Sequence, residues 1–266
     1  MQRKGRIGAT LKKEKQELER WLFLPDTHAP YHDKRAWSVV LEVLHSFKFY
    51  GVVILGDFFD CYAISDYRKD PRRERSLRAE IIAARKVLAP LEAYPFKERI
   101  FVEGNHEWRL ERYLQDKAPE LYEEAMQHDL FGLEAGGWKV IPYMQDTQIG
   151  ALNVTHDIGL SGMTSTRKTM LDYGDNSVIG HNHNLQYFVE GNAKGVTHVG
   201  ASFGWLGDRS KVDYKHQMKA RKEWALGFGT GIHNTATGAM YLSPHPILND
   251  YTCCVDGRIF TERRAA

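Results

Sequence analysis

Residues 51–60 read GVVILGDFFD: five small or apolar residues, a glycine, then two carboxylates separated by two phenylalanines. The apolar run is short and β-branched at its centre, which suits a buried strand better than a helix. Charge follows directly at the strand's carboxyl end. The same arrangement recurs along the chain. RWLFL at 20–24 is followed by PDTHAP, RIFVE at 99–103 runs into GNHE, LNVTH at 152–156 continues to Asp157, and NSVIG at 176–180 leads into HNH.

Helical spacing fills the gaps between the early strands. Behind Asp33 as a candidate N-cap, Trp37, Val40, Leu41, Leu44 and Phe47 form one apolar face. Asp70-Pro71 is the expected start of a second helix, with a stripe through Leu77, Ile81, Ala84, Leu88 and Leu91, and residues 107–128 read as a third. In the second half β signals dominate: LNVTH, NSVIG, GVTHVG, and a pair around LGFGTGIHN and GAMYLS. The order predicts mixed α/β layers. No repeat, low-complexity tract or linker divides the chain, so residues 1–266 are expected to form one domain. Its peripheral parts are a charged amino-terminal segment, 1–19, and two candidate specificity insertions, 62–78 and 201–224.

Composition narrows the function classes. The 266 residues are 42% hydrophobic, enough for a substantial core, and 36 Lys+Arg against 34 Asp+Glu leave a net charge of +2. That balance lacks the footprint of a dedicated nucleic-acid binder. The cysteines are Cys61, Cys253 and Cys254, an odd number with no disulfide framework, which suits a reducing compartment. With no signal-peptide-like apolar segment and no run of membrane-spanning length, a cytoplasmic protein without a membrane partner is expected. An oligomer is compatible with the sequence.

The polar residues past the five strands carry the chemistry. Taken singly, Asp26 could cap a turn, Asn105 could follow Gly104 in a left-handed conformation, and one histidine could be a hydrogen-bonded core residue. Five such groups in series lie at the strand edge where open α/β sheets bind ligands. Carboxylates, an amide oxygen and imidazoles converging there are the ligand mix of two adjacent divalent ions.

These motifs resemble the calcineurin-like metallophosphoesterases, whose order is D-x-H, G-D-x-x-D, G-N-H-[DE], a later H, then G-H-x-H. Here they stand as Asp26-Thr27-His28, Gly56-Asp57-Phe58-Phe59-Asp60, Gly104-Asn105-His106-Glu107, His156, and Gly180-His181-Asn182-His183. The resemblance implies an α/β calcineurin-like fold, two mixed β-sheets packed as a sandwich and flanked by helices. It implies two divalent metal ions, one held by Asp26, His28 and His183, the other by Asn105, His156 and His181, with Asp57 bridging both. It further implies catalysis by His106, its ring oriented by Asp60, and attack on a phosphate ester by a metal-bridging hydroxide. Nitrogen and oxygen ligation without thiolate fits Mn²⁺, Fe or Zn²⁺, and the family resemblance favours manganese.

Substrate class is read from departures and insertions. Protein Ser/Thr phosphatases of the superfamily usually read G-D-x-V-D-R-G and R-G-N-H-E; here Cys61-Tyr62 follow Asp60, and Glu103 precedes Gly104. The metal core is shared with DNA-repair nucleases and cyclic-nucleotide phosphodiesterases. His156 is followed by Asp157 where many relatives have glycine, and Asn182 stands where threonine is common. The short core, GNHEWRLERY and the basic insertions also resemble phosphoesterases of bacteriophages and bacteria. In DYRKDPRRERSLR, 66–78, Arg72 and Arg73 are candidate phosphate contacts, the alternative being a solvated charged face. In 205–224, Trp205, Tyr214 and Trp224 alternate with Arg209, Lys211, Lys215, Lys219, Arg221 and Lys222, as in a platform for bases and phosphates; an oligomer contact is the alternative. The leading expectation is a phosphodiesterase acting on nucleotides or nucleic acid. A phosphomonoesterase or Ser/Thr protein phosphatase is the alternative within enzymes, and a scaffold or binding module is the non-enzyme alternative.

Overall fold

Side chains along β1 (Leu18–Leu24) alternate between two cores. Leu22 and Leu24 join the cluster that holds the helices, whereas Trp21 and Phe23 point into a second cluster between two sheets. The computed structural model describes residues 17–67, 69–70, 72–73, 76–212 and 224–263. In the first sheet, β1 runs parallel to β2 (Gly51–Ile54), β3 (Glu98–Val102) and β4 (Lys139–Ile141) in that order. The second contains β5 (Asp146–Ile149), β6 (Leu152–Thr155), β7 (Ser177–Ile179), β8 (Leu185–Gly191) and β9 (Thr197–Phe203), in the order β5-β6-β7-β9-β8. Strand β10 (Gly227–Asn234) pairs antiparallel with β1, and β11 (Met240–Pro246) closes that edge. The sheets face each other across Phe23, Val53, Val102, Val154, Val178 and Phe203. Both are therefore mixed, and they form a sandwich.

Helices cover the outer face of the first sheet. In α1 (Lys34–Ser46), Asp33 Oδ1 accepts the amides of Arg35 and Ala36 at 3.0 and 3.1 Å, the expected N-cap. Its buried face includes Ala36, Val39 and Val43 beside the expected Trp37, Val40 and Leu44. The helix α2 (Leu77–Ala93) starts later than expected, with Ser76 as N-cap. Asp70 instead folds its carboxylate onto the Arg72 amide at 2.9 Å, closing a local turn. The third helical stretch is broken: α3 (Arg109–Lys117) stops before Pro119, a 3-10 turn follows at Pro119–Leu121, and α4 (Tyr122–Met126) resumes. A hairpin of β12 (Thr252–Val255) and β13 (Arg258–Thr261) adds Val255 and Phe260 to the core that contains α1. Cys61 and Cys253 are buried and Cys254 is exposed, all as thiols. Among the described residues no helix is long and apolar enough to cross a membrane.

One helix has no counterpart in the sequence reading. Helix α5 (Ser165–Tyr173) buries Ser165, Thr166, Thr169 and Met170, a face so polar that no apolar stripe marks it. Its hydroxyls take hydrogen bonds from Asn182, whose Nδ2 reaches Ser165 Oγ at 3.0 Å and Thr166 Oγ1 at 2.8 Å. Asn182 thus anchors the turn after β7 on α5.

A carboxylate in α2 shapes the segment after the GDFFD motif. Glu80 is buried and accepts the amides of Tyr62 at 2.7 Å and Ala63 at 3.0 Å. Burial, aided by the Asp60 charge, pushes its pKa up to about 7 from 4.5. A raised folded-state pKa makes Glu80's contribution to stability whole below about pH 4.5 and lost as the pH climbs through about 7. Glu80→Gln cannot ionise. Wild-type stability relative to that variant, from urea midpoints, should therefore fall by roughly 1–3 kcal/mol between pH 4.5 and 8; a pH-independent difference would show that the carboxyl is unperturbed.

Candidate metal centre

The carboxyl ends of β1, β2, β3, β6 and β7 meet at one edge of the sandwich and bring together all the residues of the five motifs. Asp57 sits at the centre. One group of potential ligand atoms comprises Asp26, His28, Asp57 and His183, and a second comprises Asp57, His156 and His181, each with its atoms within 4.8 Å of one another. Asn105 Oδ1 joins the second group, 2.9 Å from His181 Nδ1 and 3.3 Å from His156 Nε2.

The backbone is bent to achieve this. Asp26, His28, Asp57, His181 and His183 all have left-handed φ, between 28° and 67°, a conformation that costs a non-glycine residue on the order of 1–3 kcal/mol in strain. The loops also approach each other closely. A Cβ on Gly104 would lie 2.2 Å from Asp57 Oδ1 and 2.5 Å from Asp57 N, so only glycine admits the central carboxylate there. The Gly104 amide, with those of Asp57 and Phe59, is taken up by Glu107 at 2.8, 3.0 and 2.7 Å respectively. Burial and the nearby Asp57 charge push the Glu107 pKa up to about 8.

Histidine tautomers follow from what lies behind each ring. His156 Nδ1 donates to the Leu55 carbonyl at 2.7 Å, so its Nε2 faces Asp57 Oδ2 at 3.5 Å. His28 Nδ1 donates to Asp60 Oδ1 at 2.9 Å, which turns its Nε2 toward His183 Nε2 at 3.2 Å. The second motif carboxylate serves another ring as well: His106 Nδ1 lies 3.0 Å from the same Asp60 Oδ1 and 2.9 Å from the Asp60 carbonyl. Both are acceptors, so the proton of neutral His106 is on Nδ1. Imidazole nitrogens and an amide oxygen thus converge on two buried carboxylates, with, among the described residues, no Lys or Arg nitrogen within 4.0 Å of either. Divalent cations fit such a donor set.

Protonated imidazole is the charge that the chain itself sets against Asp57. Burial opposes ionisation of Asp57, but the imidazoles of His106, His156 and His28 hold its carboxyl well below the usual range. For His156 burial is likewise outweighed, and the Asp57 carboxylate lifts its pKa to about 10. Burial lowers the pKa of His106 and of His183. His183 also stacks on Trp205, ring centroids 5.0 Å apart and planes 15° from parallel, with Trp224 edge-on at 4.5 Å.

A cavity of about 970 Å³ opens over the cluster, its lining including His28, Asp57, Asn105, His106, His181 and His183. The two candidate arginines part company there. Arg73 lines the cavity, its guanidinium over the Tyr31 and Tyr62 rings at 5.1 and 4.9 Å and its Nη2 donating to the Lys211 carbonyl. Arg72 points away, its side chain 88% exposed and paired with Asp70 at 3.1 Å. Of the 205–224 segment, Trp205, Gly207, Asp208, Lys211, Val212 and Trp224 line the cavity, whereas Arg209 does not and donates Nη2 to the Trp224 carbonyl at 2.7 Å; Tyr214, Lys215, Lys219, Arg221 and Lys222 lie outside the described residues, as do Arg68 and Arg75. Arg109 also reaches the site, a residue that sequence reasoning assigned to a helix and gave no role.

The calcineurin-like phosphoesterase family pattern matches residues 20–220. The chain belongs to that family. Among solved structures it is similar to a Vps29 variant from Entamoeba histolytica, at 14% identity over 90% of this chain and 95% of that chain, TM-score 0.45. It is similar to vacuolar protein sorting 29 from Cryptosporidium parvum, at 16% over 91% and 94%, TM-score 0.44. A metallophosphoesterase from Sphaerobacter thermophilus matches at 14% over 85% and 87%, TM-score 0.45. No curated protein matches the chain in sequence.

The close approach at Gly104 is testable. Gly104→Ala must displace the Asp57 carboxylate or its amide, and we expect metal content per chain, measured by elemental analysis after dialysis, to drop by at least half. Gly191→Ala, where a Cβ meets nothing nearer than 4.0 Å, should bind as the wild type does. Equal metal content in the two variants would show that Asp57 does not need its observed position.

Proposed function

We propose that the chain is a dinuclear-metal-dependent phosphoesterase that hydrolyses phosphodiesters of nucleotides or nucleic acid. The observation that carries the reading is His106, which Asp60 holds at the floor of the cavity, 3.8 Å from the Asp57 carboxylate around which the ligands gather. A scaffold or binding module on this fold would be expected to lose His106 or several of the ligands, and this chain keeps them all.

Asp26, His28 and His183 would hold one ion, Asn105, His156 and His181 the other, and Asp57 both. Such ions, when bound, lower the pKa of a shared water toward neutrality and neutralise phosphate oxygens. Manganese is the favoured metal, with iron and zinc compatible with the same donors. The chain's own part is to hold and orient. Asp60 fixes the His106 tautomer with Nδ1 protonated, which leaves the Nε2 lone pair as the site that would take up the proton released by the attacking water and hand it to the leaving oxygen. The same carboxylate fixes His28, so one side chain orients a ligand and an acid.

The diester reading draws on the cavity walls. The volume of about 970 Å³ lies at the upper end of the roughly 300–1,000 Å³ of small-molecule sites. Trp224 and Tyr67 supply aromatic rings, and Arg73 and Lys211 supply cations. Rings stack bases and cations pair with phosphates.

On manganese-loaded protein we expect kcat/KM to be higher for bis-p-nitrophenyl phosphate than for p-nitrophenyl phosphate. His106→Ala should lower turnover by about 10²–10⁴-fold with metal content unchanged. A monoester preference would replace the diesterase reading by a phosphomonoesterase, and unaltered turnover would remove His106 from the chemistry. Arg73→Glu should weaken binding of an oligonucleotide about tenfold, as expected for loss of one charge-assisted contact, and Arg72→Glu should leave it unchanged; equal effects would show that the 66–78 segment acts only through its overall charge.

A further inference from the structure

Arg109 opens α3, and its side chain turns back onto the site. Nη1 donates to the Asp60 carbonyl at 2.7 Å, and Nη2 lies 2.9 Å from His106 Nε2. With the His106 proton on Nδ1, that contact is a donation from the guanidinium to the imidazole lone pair. Both of its acceptors are therefore uncharged. The residue is only 7% exposed, and among the described residues no carboxylate oxygen lies within 4.0 Å of it. The acids in its neighbourhood are engaged elsewhere: Asp60 Oδ1 with His28 and His106, Glu80 with the Tyr62 and Ala63 amides, Glu107 with three amides.

A buried cation without a counter-ion is costly, so such groups are normally paired. A guanidinium on a cavity wall presents a planar fork of N–H donors that matches the oxygens of a phosphoryl group. We propose that Arg109 binds a nonbridging oxygen of the substrate's phosphoryl group, exchanging its bond to His106 Nε2 for one to the phosphate. This inference rests on the phosphoesterase reading. The exchange links two events. Before substrate arrives an N–H of Arg109 caps the Nε2 lone pair that would take up the proton, and the phosphate draws that N–H away.

The test is titration of inorganic phosphate into manganese-loaded protein by calorimetry, for wild type, Arg109→Gln and Arg109→Lys. We expect phosphate affinity to fall on the order of 10–100-fold in Arg109→Gln, and less in Arg109→Lys, with metal content unchanged in both. Equal affinity in wild type and Arg109→Gln overturns the assignment. A wild type that takes up metal but binds no phosphate and cleaves neither nitrophenyl ester overturns the phosphoesterase reading itself, and the inference with it. To cover the case in which Arg109→Gln does not fold, the Arg109 side-chain ¹⁵N resonance of zinc-loaded wild type, assigned through Arg109→Lys, is followed during the titration. A shift that saturates with phosphate is expected, and a stationary resonance overturns the proposal.

Discussion

The Glu107 carboxylate accepts the amides of Asp57 and Phe59 from the loop after β2 and of Gly104 from its own loop after β3. The two strands pair side by side, but their ladder ends before these loops begin. Buried amides beyond the ladder need other acceptors, and one side chain supplies them all. The consequence is positional: with its amide fixed from below, Asp57 takes a left-handed turn, and its Oδ1 accepts the His106 amide at 2.8 Å. Glu107 therefore sets both the central carboxylate and the start of the histidine that faces it. Its cost is a carboxyl buried beside another negative group, a repulsion that cations bound at Asp57 would relieve.

Orientation in the site comes from behind the rings rather than from in front of them. His156 is steered by a main-chain carbonyl, while His28 and His106 share a single oxygen of Asp60. Sharing places the two rings edge to face, their centroids 4.5 Å apart. A displacement of Asp60 would consequently disturb His28 and His106 together.

The strands and the motif residues at their ends were legible because burial on both faces leaves uninterrupted apolar runs, and polar side chains directly after them stand out. Other parts left no such trace. Helix α5 buries hydroxyls instead of hydrocarbon, so its periodicity is invisible to a search for apolar stripes. The start of α2 was misplaced because an Asp-Pro pair and a serine both resemble helix openings, and only the geometry shows Asp70 spent on its own turn. Arg72 and Arg73 are adjacent in sequence, and which one faces inward depends on Tyr31, Tyr62 and Lys211, contacts that no local pattern encodes. Arg109 begins a helix rich in charge, where a charged residue reads as solvated surface; its burial follows only from the position of α3 against the loop after β2.

The left-handed backbone at Asp26, His28, Asp57, His181 and His183 limits how this site can drift through mutation. Such φ values are tolerated by glycine and, among other residues, best by Asn, Asp and His, and they exclude Val, Ile and Thr on steric grounds. A lineage that abandoned the metals would not simply fill the vacated positions with hydrophobic packing, because the loops would first have to be rebuilt. Its least disruptive substitutes would be Asn and Gly. A descendant without the metal-capable side chains would thus keep the loop shapes as a fossil, its strand ends still folded as for a cluster that is gone.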